Sequence, residues 1–168
     1  MILSYDDVAR LALDAGFRGE DAATAVAIAK AESNFNAGVY GDAAVGGSIG
    51  LWQIHLPSNP QYDANSLRDP QTNARAAFGL YRQRGFNPWC TYKSSACGGY
   101  GNNAYAQYLS EAQAAVARVA RSHGGISGWV NKHPILTTSA ALLAVGGAIL
   151  YFRPDVFRRI PVVGRLGR

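Results

Sequence analysis

The spacing of apolar and polar positions predicts two helices in the first 33 residues. Residues 4–16 have an amphipathic pattern, with Ser4 placed to cap a helix and Gly16 placed to end it. Residues 20–33 predict a second, alanine-rich helix. The residues that we expect on its core side are Val26, Ile28 and Ala29.

Two further helices are predicted later in the chain. A third begins at Pro70, with Asp69 as its cap. Its apolar face comprises Ala74, Ala77, Phe78 and Tyr81. A fourth helix runs from about Asn103 to Ser122. Residues 34–50 are rich in Gly, Asn and small residues and predict a loop with little regular structure. Since no alternating strand pattern of any length appears, the predicted fold is mainly α.

A long uncharged segment follows this helical region. Residues 135–152, "ILTTSAALLAVGGAILYF", comprise 18 residues without charge, which predicts one C-terminal transmembrane helix. A buried core helix is the alternative, but Tyr151 and Phe152 precede several arginines, as at a membrane interface. The expected organisation is a domain at 1–123, a linker and interface segment at 124–134, a transmembrane helix at 135–152 and a basic tail at 153–168.

The net charge of +5 is concentrated in the tail. Residues 153–168 hold five Arg against one Asp, and the rest of the chain is nearly neutral. This distribution argues against a nucleic-acid partner for the domain. The positive-inside rule places the tail on the cytoplasmic or an equivalent interior side, and the domain opposite. The charged start "MILSYDDVARLAL" does not resemble a signal peptide, so we expect no ordinary export route.

The cysteines and histidines suggest a disulfide and no metal site. Cys90 and Cys97 enclose only six residues, and a local disulfide between them fits an oxidising compartment. Buried free thiols are the alternative. The three histidines, His55, His123 and His133, are scattered without ligand spacing, so we expect no metal.

Glu32 stands out because it follows an apolar helix face in "AIAKAESNFN". A half-buried glutamate can hold a proton near neutral pH because burial raises its pKa. The predicted role is therefore general acid catalysis. The structural alternative is an ordinary glutamate on the last solvent-facing turn of a helix.

The surrounding sequence resembles the lysozyme-like superfamily that contains goose-type lysozymes and soluble lytic transglycosylases. In that family a helix ends in Glu-Ser, a glycine-rich loop follows, and then comes Gly-Leu-Met-Gln-Ile or a close variant. Here Glu32 and Ser33 are followed by Gly50 to Ile54, with Trp52 where Met is commoner. "DPQTNARAAFGLY" is similar to a later family helix, and "FNPWCTY" with "GGYGNNAYAQYL" is similar to phage tail-associated muralytic domains. The resemblance covers roughly residues 1–120.

This resemblance implies a small α-helical lysozyme-like domain without a cofactor. Its substrate would be the β-1,4 bond between N-acetylmuramic acid and N-acetylglucosamine in the glycan strands of peptidoglycan, with Glu32 as the acid. The residues expected to bind sugar are Ser33, Trp52, Gln53, His55, Trp89, Tyr92, Tyr100, Asn103 and Tyr105. The aromatic members of this set could equally be ordinary core residues.

The sequence fits two reactions, which differ in whether a second carboxylate takes part. Goose-type enzymes carry a Gly-Asp in the loop after the glutamate, and "VYGDAA" places Asp42 there. Such a carboxylate could activate water in an inverting hydrolysis; a simple turn residue is the alternative. The family often has another Asp after Gln-Ile, where this chain has His55. Lytic transglycosylases use the sugar's own 6-hydroxyl and leave a 1,6-anhydro product.

Other functional classes fit the sequence as well. A lysozyme-like domain on an anchor could be a non-enzymatic wall-binding membrane protein, although the retained Glu32 argues against that. A holin is disfavoured because a single span follows a complete globular domain. The expected setting is a phage virion membrane, with the lipid bilayer and other virion or envelope proteins as partners, and the bacterial envelope is the alternative.

Overall fold

The computed structural model describes residues 1–92 and 103–124. The predicted linker, transmembrane helix and tail, from residue 125 onward, lie outside the described residues, as do Tyr100 and Cys97. Within the described ranges, every helix is too short or too polar to cross a bilayer. The predicted transmembrane helix therefore stays a prediction.

The predicted helical character of the domain is confirmed. The helices are α1 (Tyr5–Ala15), α2 (Gly19–Ser33), α3 (Pro70–Arg84) and α4 (Leu109–Gly124). The predicted start of the fourth helix, at about Asn103, was wrong, because Ala104–Tyr108 forms a separate 3-10 turn before α4. The predicted caps hold for α1 and α3. Ser4 and Asp7 form a capping box, and Asp69 accepts a hydrogen bond from the backbone N–H of Thr72.

The second helix lies at the centre of the domain. Its alanine-rich surface is buried almost all round, and α1 and α4 both pack against it. The predicted core residues Val26, Ile28 and Ala29 are fully buried. Small side chains let the neighbouring helices approach closely, and Glu32, at the C-terminal end of α2, is partly buried.

A small antiparallel sheet occupies the region that we predicted as an irregular loop. Its strands are β1 (Tyr40–Gly41), β2 (Ser48–Ile49) and β3 (Ile54–His55), in the order β1-β2-β3. Ser48 pairs with His55, and Tyr40 pairs with Ile49. The prediction missed these strands because two residues are too short for an alternating pattern. The sheet brings the loop after β1 and the end of β3 to one side of α2.

The sheet is joined to α3 by one buried side chain, Asn73. Its amide nitrogen donates to the carbonyl oxygens of Ile49, at 2.9 Å, and Leu67, at 3.0 Å, and its amide oxygen accepts the N–H of Trp52 at 2.9 Å. Gly50 has φ +79, and a β-carbon there would clash with Asn73. Loss of the amide would leave three buried groups without partners, each at about 1–3 kcal/mol.

Two tryptophans connect this turn to the rest of the domain. The indole N–H of Trp52 donates to the carbonyl of Ala25 in α2 at 2.8 Å. The indole N–H of Trp89 donates to the carbonyl of Trp52 at 2.7 Å. These bonds tie α2, the sheet and the segment after α3 together, and each of the three contributes to the site.

Candidate active site

A cleft of about 570 Å³ lies where α2, the sheet, α3 and the segment Pro88–Thr91 meet. Its volume falls in the range typical of ligand sites. The cleft brings together five of the predicted catalytic and sugar-binding residues: Glu32, Asp42, Gln53, His55 and Trp89. Two carboxyl groups therefore face the same concave surface.

Glu32 enters the cleft because the chain turns sharply after α2. Asn34 adopts the left-handed conformation, with φ +49, and its N–H closes the helix on the carbonyl of Lys30. Phe35 is also left-handed, with φ +63, which is uncommon for a bulky residue. Its buried ring packs edge-on against Tyr5 at 4.8 Å, and this packing holds the turn. The turn fixes the helix end, and so the position of Glu32.

Burial raises the pKa of Glu32 above its ordinary value. The hydroxyl of Thr91 donates to Oε1 of Glu32 at 2.7 Å and opposes that rise. The negative charge of Asp42 raises the pKa further, and the backbone N–H of Thr91 lowers it. Burial is the largest of these effects, so Glu32 keeps its proton to a higher pH than an exposed glutamate does.

Thr91 is a site residue that sequence reasoning missed. It lies 59 positions from Glu32, and no local pattern marks it. Its backbone carbonyl accepts the N–H of Tyr105 at 3.2 Å, and this bond helps to hold the segment Pro88–Thr91 in place. Only the packing of the segment after α3 against the end of α2 brings the hydroxyl to the carboxyl group.

Asp42 follows β1 in a left-handed conformation, with φ +53. Its carboxylate accepts a hydrogen bond of 2.8 Å from the hydroxyl of Ser48, which the sequence analysis did not identify. Ser48 is buried and lies in β2, so its hydroxyl has a fixed position. Asp42 thus combines a turn conformation, which Asp tolerates, with an exposed carboxylate held at the cleft.

His55 braces the loop that carries Asp42. Its Nε2 lies 3.1 Å from the carbonyl oxygen of Val45, and its Nδ1 lies 2.9 Å from the hydroxyl of Ser58. A carbonyl only accepts, so Nε2 carries a hydrogen and donates it to Val45, and Nδ1 shares a hydrogen bond with the hydroxyl of Ser58. Both ring nitrogens are therefore engaged within the protein, although we predicted His55 as a sugar-binding residue.

Gln53 lines the cleft and also stabilises its own turn. It has φ +43, and its amide nitrogen donates to the carbonyl of Gly50 at 2.9 Å, with a longer contact of 3.4 Å to Val39. The amide nitrogen that we predicted as a partner for sugar N-acetyl groups is thus used inside the protein.

Three of the predicted sugar-binding residues are buried. Trp52 is 1% exposed and lies in the core, so neither face is open to a sugar ring. Ser33 is buried and donates to the carbonyl of Ala29 at 2.9 Å. Trp89 lines the cleft but is only 4% exposed. Trp89 is part of the cleft lining, and its indole N–H is bonded to the backbone of the buried Trp52.

The remaining predicted residues lie beside the cleft or outside the described chain. The rings of Tyr92 and Tyr105 pack together at 5.0 Å, and neither residue lines the cleft in the described part of the chain. Asn103 is exposed and precedes the 3-10 turn at Ala104–Tyr108. Cys90 lines the cleft, but Cys97 is not described, so the disulfide stays a prediction.

The cleft also contains polar residues that the sequence analysis did not identify. Ser58, Asn59 and Arg84 line the side nearest the end of α3. Within residues 1–92 and 103–124, no three His, Cys, Asp or Glu side chains cluster closely enough to hold a metal ion.

Comparison with known families identifies the part of the chain that contains this cleft. Residues 9–91 match a family model described as a lysozyme-like domain. No curated protein and no solved structure matches the chain significantly. The matched region includes Glu32, Asp42, the sheet, α3 and Thr91. The resemblance seen in the sequence is thereby confirmed, and residues 9–91 of this chain belong to the lysozyme-like superfamily.

Proposed function

We propose that the chain is a peptidoglycan glycosidase that cleaves the β-1,4 bond between N-acetylmuramic acid and N-acetylglucosamine. The observation that carries this proposal is the partly buried Glu32 in the cleft, with a raised pKa and a second carboxylate nearby. Membership of residues 9–91 in the lysozyme-like superfamily supports peptidoglycan as the substrate. A protein that only bound sugar would gain nothing from a carboxyl group that resists ionisation.

Glu32 acts in this proposal as the general acid. Cleavage requires a proton on the leaving oxygen while positive charge develops on the sugar ring. Oε1 of Glu32 accepts the hydroxyl of Thr91, so Oε2 is the better position for the acidic hydrogen. Thr91 thus orients the group and leaves one oxygen to deliver the proton.

Asp42 acts as the base that activates water. In an inverting glycosidase the base lies across the scissile bond from the acid, at about 6.5–9.5 Å, with water between them. The bond from Ser48 fixes the Asp42 carboxylate, and its charge acts on Glu32 across the cleft. Both observations support a paired role.

A lytic transglycosylase is the second candidate. The position after Gln53-Ile54, where the family often has an Asp, is His55, and both of its ring nitrogens are engaged within the protein. The imidazole of His55 is therefore held by the protein and does not take the place of that Asp as a base. If Asp42 is only a turn residue, Glu32 acts alone and the sugar's 6-hydroxyl is the nucleophile.

The first test replaces Glu32 by Gln and measures the release of soluble fragments from purified peptidoglycan. We expect a loss on the order of two to four decades, because Gln cannot donate the proton. Glu111→Gln, which changes an exposed glutamate of α4, should behave like wild type. Activity of Glu32→Gln within a few-fold of wild type would refute the assignment.

Thermal unfolding of the same variant shows that the loss is chemical and not a folding defect. The pKa of Glu32 is raised in the folded state. The folded protein therefore becomes less stable as the pH rises from the ordinary glutamate range through the raised pKa, because ionised Glu32 is unfavourable in the fold. Gln does not ionise, so Glu32→Gln should unfold at or above the wild-type temperature at neutral pH.

The second test identifies the products by mass spectrometry of the released muropeptides. If Asp42 positions water, wild type should release reducing ends, and Asp42→Asn should suppress them on the order of a hundredfold. Asp14→Asn, an exposed carboxylate on α1 away from the cleft, is the control. Predominantly 1,6-anhydro products would establish the transglycosylase reaction instead.

We also propose that residues 135–152 anchor the enzyme in a membrane, with the arginines of the tail at the headgroups. This proposal rests on the uncharged length of the segment and the basic residues after it. The setting that we propose is a phage virion membrane, and the bacterial envelope is the alternative. Detection of the chain in purified virus particles would separate the two settings.

The third test introduces a charge into the centre of the proposed anchor. Wild type should stay with membranes in high salt and carbonate, whereas Leu143→Arg should be released. Arginine at a helix centre opposes insertion by about 2.5–3.5 kcal/mol. Leu143→Ala is the matched control and should behave like wild type. Release of wild type by salt alone would refute the anchor.

A further inference from the structure

Arg84 is a cleft residue that the proposed mechanism does not use. It is the last residue of α3, and its exposed side chain lines the same cleft as Glu32. Its guanidinium donates to Oδ1 of Asn59 at 3.1 Å. Asn59 is 5% exposed, and its amide nitrogen donates to the carbonyl of His55 at 2.8 Å. A fixed, buried amide therefore orients the arginine at the cleft wall.

The charge of Arg84 has no carboxylate partner in the described chain. The ion pairs found there join Arg10 to Asp7 and Arg118 to Asp6. Among the described residues that line the cleft, Arg84 is the only Lys or Arg. A guanidinium carries five N–H donors, and the bond to Asn59 uses one of them. The others can bind an anion that enters the cleft.

The substrate class offers one kind of anion. The N-acetylated sugar rings of peptidoglycan are neutral, but each muramic acid carries a lactyl group that bears a short peptide with free carboxylates. Arginine binds carboxylates through two parallel hydrogen bonds, a geometry that lysine cannot match. A neutral polysaccharide such as chitin has no group that would use this guanidinium.

We propose that Arg84 binds a carboxylate on the lactyl-linked arm of muramic acid, and that the cleft thereby selects peptidoglycan over uncharged polymers of the same sugars. This inference rests on the proposed function. It assigns to Arg84 a role in binding and selectivity and no role in proton transfer. The carboxylate belongs to the stem peptide in intact peptidoglycan, and to the lactyl group where the peptide has been removed.

The test measures ligand binding by calorimetry with the full chain in detergent. Glu32→Gln is the background, so that no ligand is cleaved. The three ligands are a peptidoglycan tetrasaccharide with its stem peptides, the same tetrasaccharide after amidase treatment, and chitotetraose. The added changes are Arg84→Gln, Arg84→Lys and the control Arg82→Gln. Arg82 is an exposed arginine of the same helix that does not line the cleft.

Arg84→Gln should weaken binding of the peptide-bearing tetrasaccharide about tenfold, the scale of one exposed charge-assisted contact. Chitotetraose binding should stay within about twofold of the background. Arg84→Lys should bind the peptide-bearing tetrasaccharide with an affinity between those of the background protein and Arg84→Gln, because lysine keeps the charge but cannot form the two parallel hydrogen bonds. Arg82→Gln should change nothing. A loss confined to peptide-bearing ligand assigns the carboxylate to the peptide, and a loss shared with the amidase-treated ligand assigns it to the lactyl group.

Two results would overturn the proposal. One is equal binding of the peptide-bearing tetrasaccharide by Arg84→Gln and Arg82→Gln. The other is an equal loss for chitotetraose, which would show that Arg84 contacts the sugars themselves. Either result leaves the proposed function intact as long as wild type cleaves peptidoglycan. If wild type cleaves no peptidoglycan and the background protein binds no ligand, the proposed function fails, and the role of Arg84 fails with it.

Discussion

The architecture of the site depends on the buried carboxamide of Asn73. A side chain with no contact to solvent uses both ends of its amide to hold three separate backbone segments, at Ile49, Leu67 and Trp52. Strands of two residues cannot sustain a sheet by themselves, because such a ladder offers few hydrogen bonds. The amide supplies the missing connection to α3. Asp42, Gln53 and His55 therefore keep fixed positions although the strands and loops that carry them are short.

A second constraint concerns the catalytic carboxyl group. The alanine-rich surface of α2 allows close packing around the helix, and that packing desolvates Glu32 at its end. Burial alone would leave the group unoriented, and Thr91 supplies the orientation through its hydroxyl. The bond opposes part of the effect of burial on the pKa, but burial remains the larger effect. The site thus combines a proton held to higher pH with a defined direction for its delivery.

The sequence predicted those features that depend on local pattern. The bounds of α1 and the start of α3, with their Ser4 and Asp69 caps, follow from residues within one helical turn, and Glu32 was placed correctly at the end of α2. The sheet was not predicted, because strands of two residues are too short to show an alternation of apolar and polar positions. Thr91, Asn73 and Arg84 were missed because their roles arise from contacts between distant segments. Trp52 was predicted to bind sugar because the sequence alone does not show whether an aromatic residue is buried or exposed.

The proposed chemistry requires Glu32 to hold its proton at a pH where an exposed glutamate has lost it. The most direct measurement is a pH titration of the Glu32 carboxyl carbon by 13C NMR, in wild type and in Thr91→Val. We expect a midpoint above the ordinary value of about 4.3 in wild type. We expect a further rise in Thr91→Val, because the hydrogen bond that favours the ionised form is gone. A wild-type midpoint at or below the ordinary value would contradict a proton held by burial, as would a fall of the midpoint on removal of the Thr91 hydroxyl.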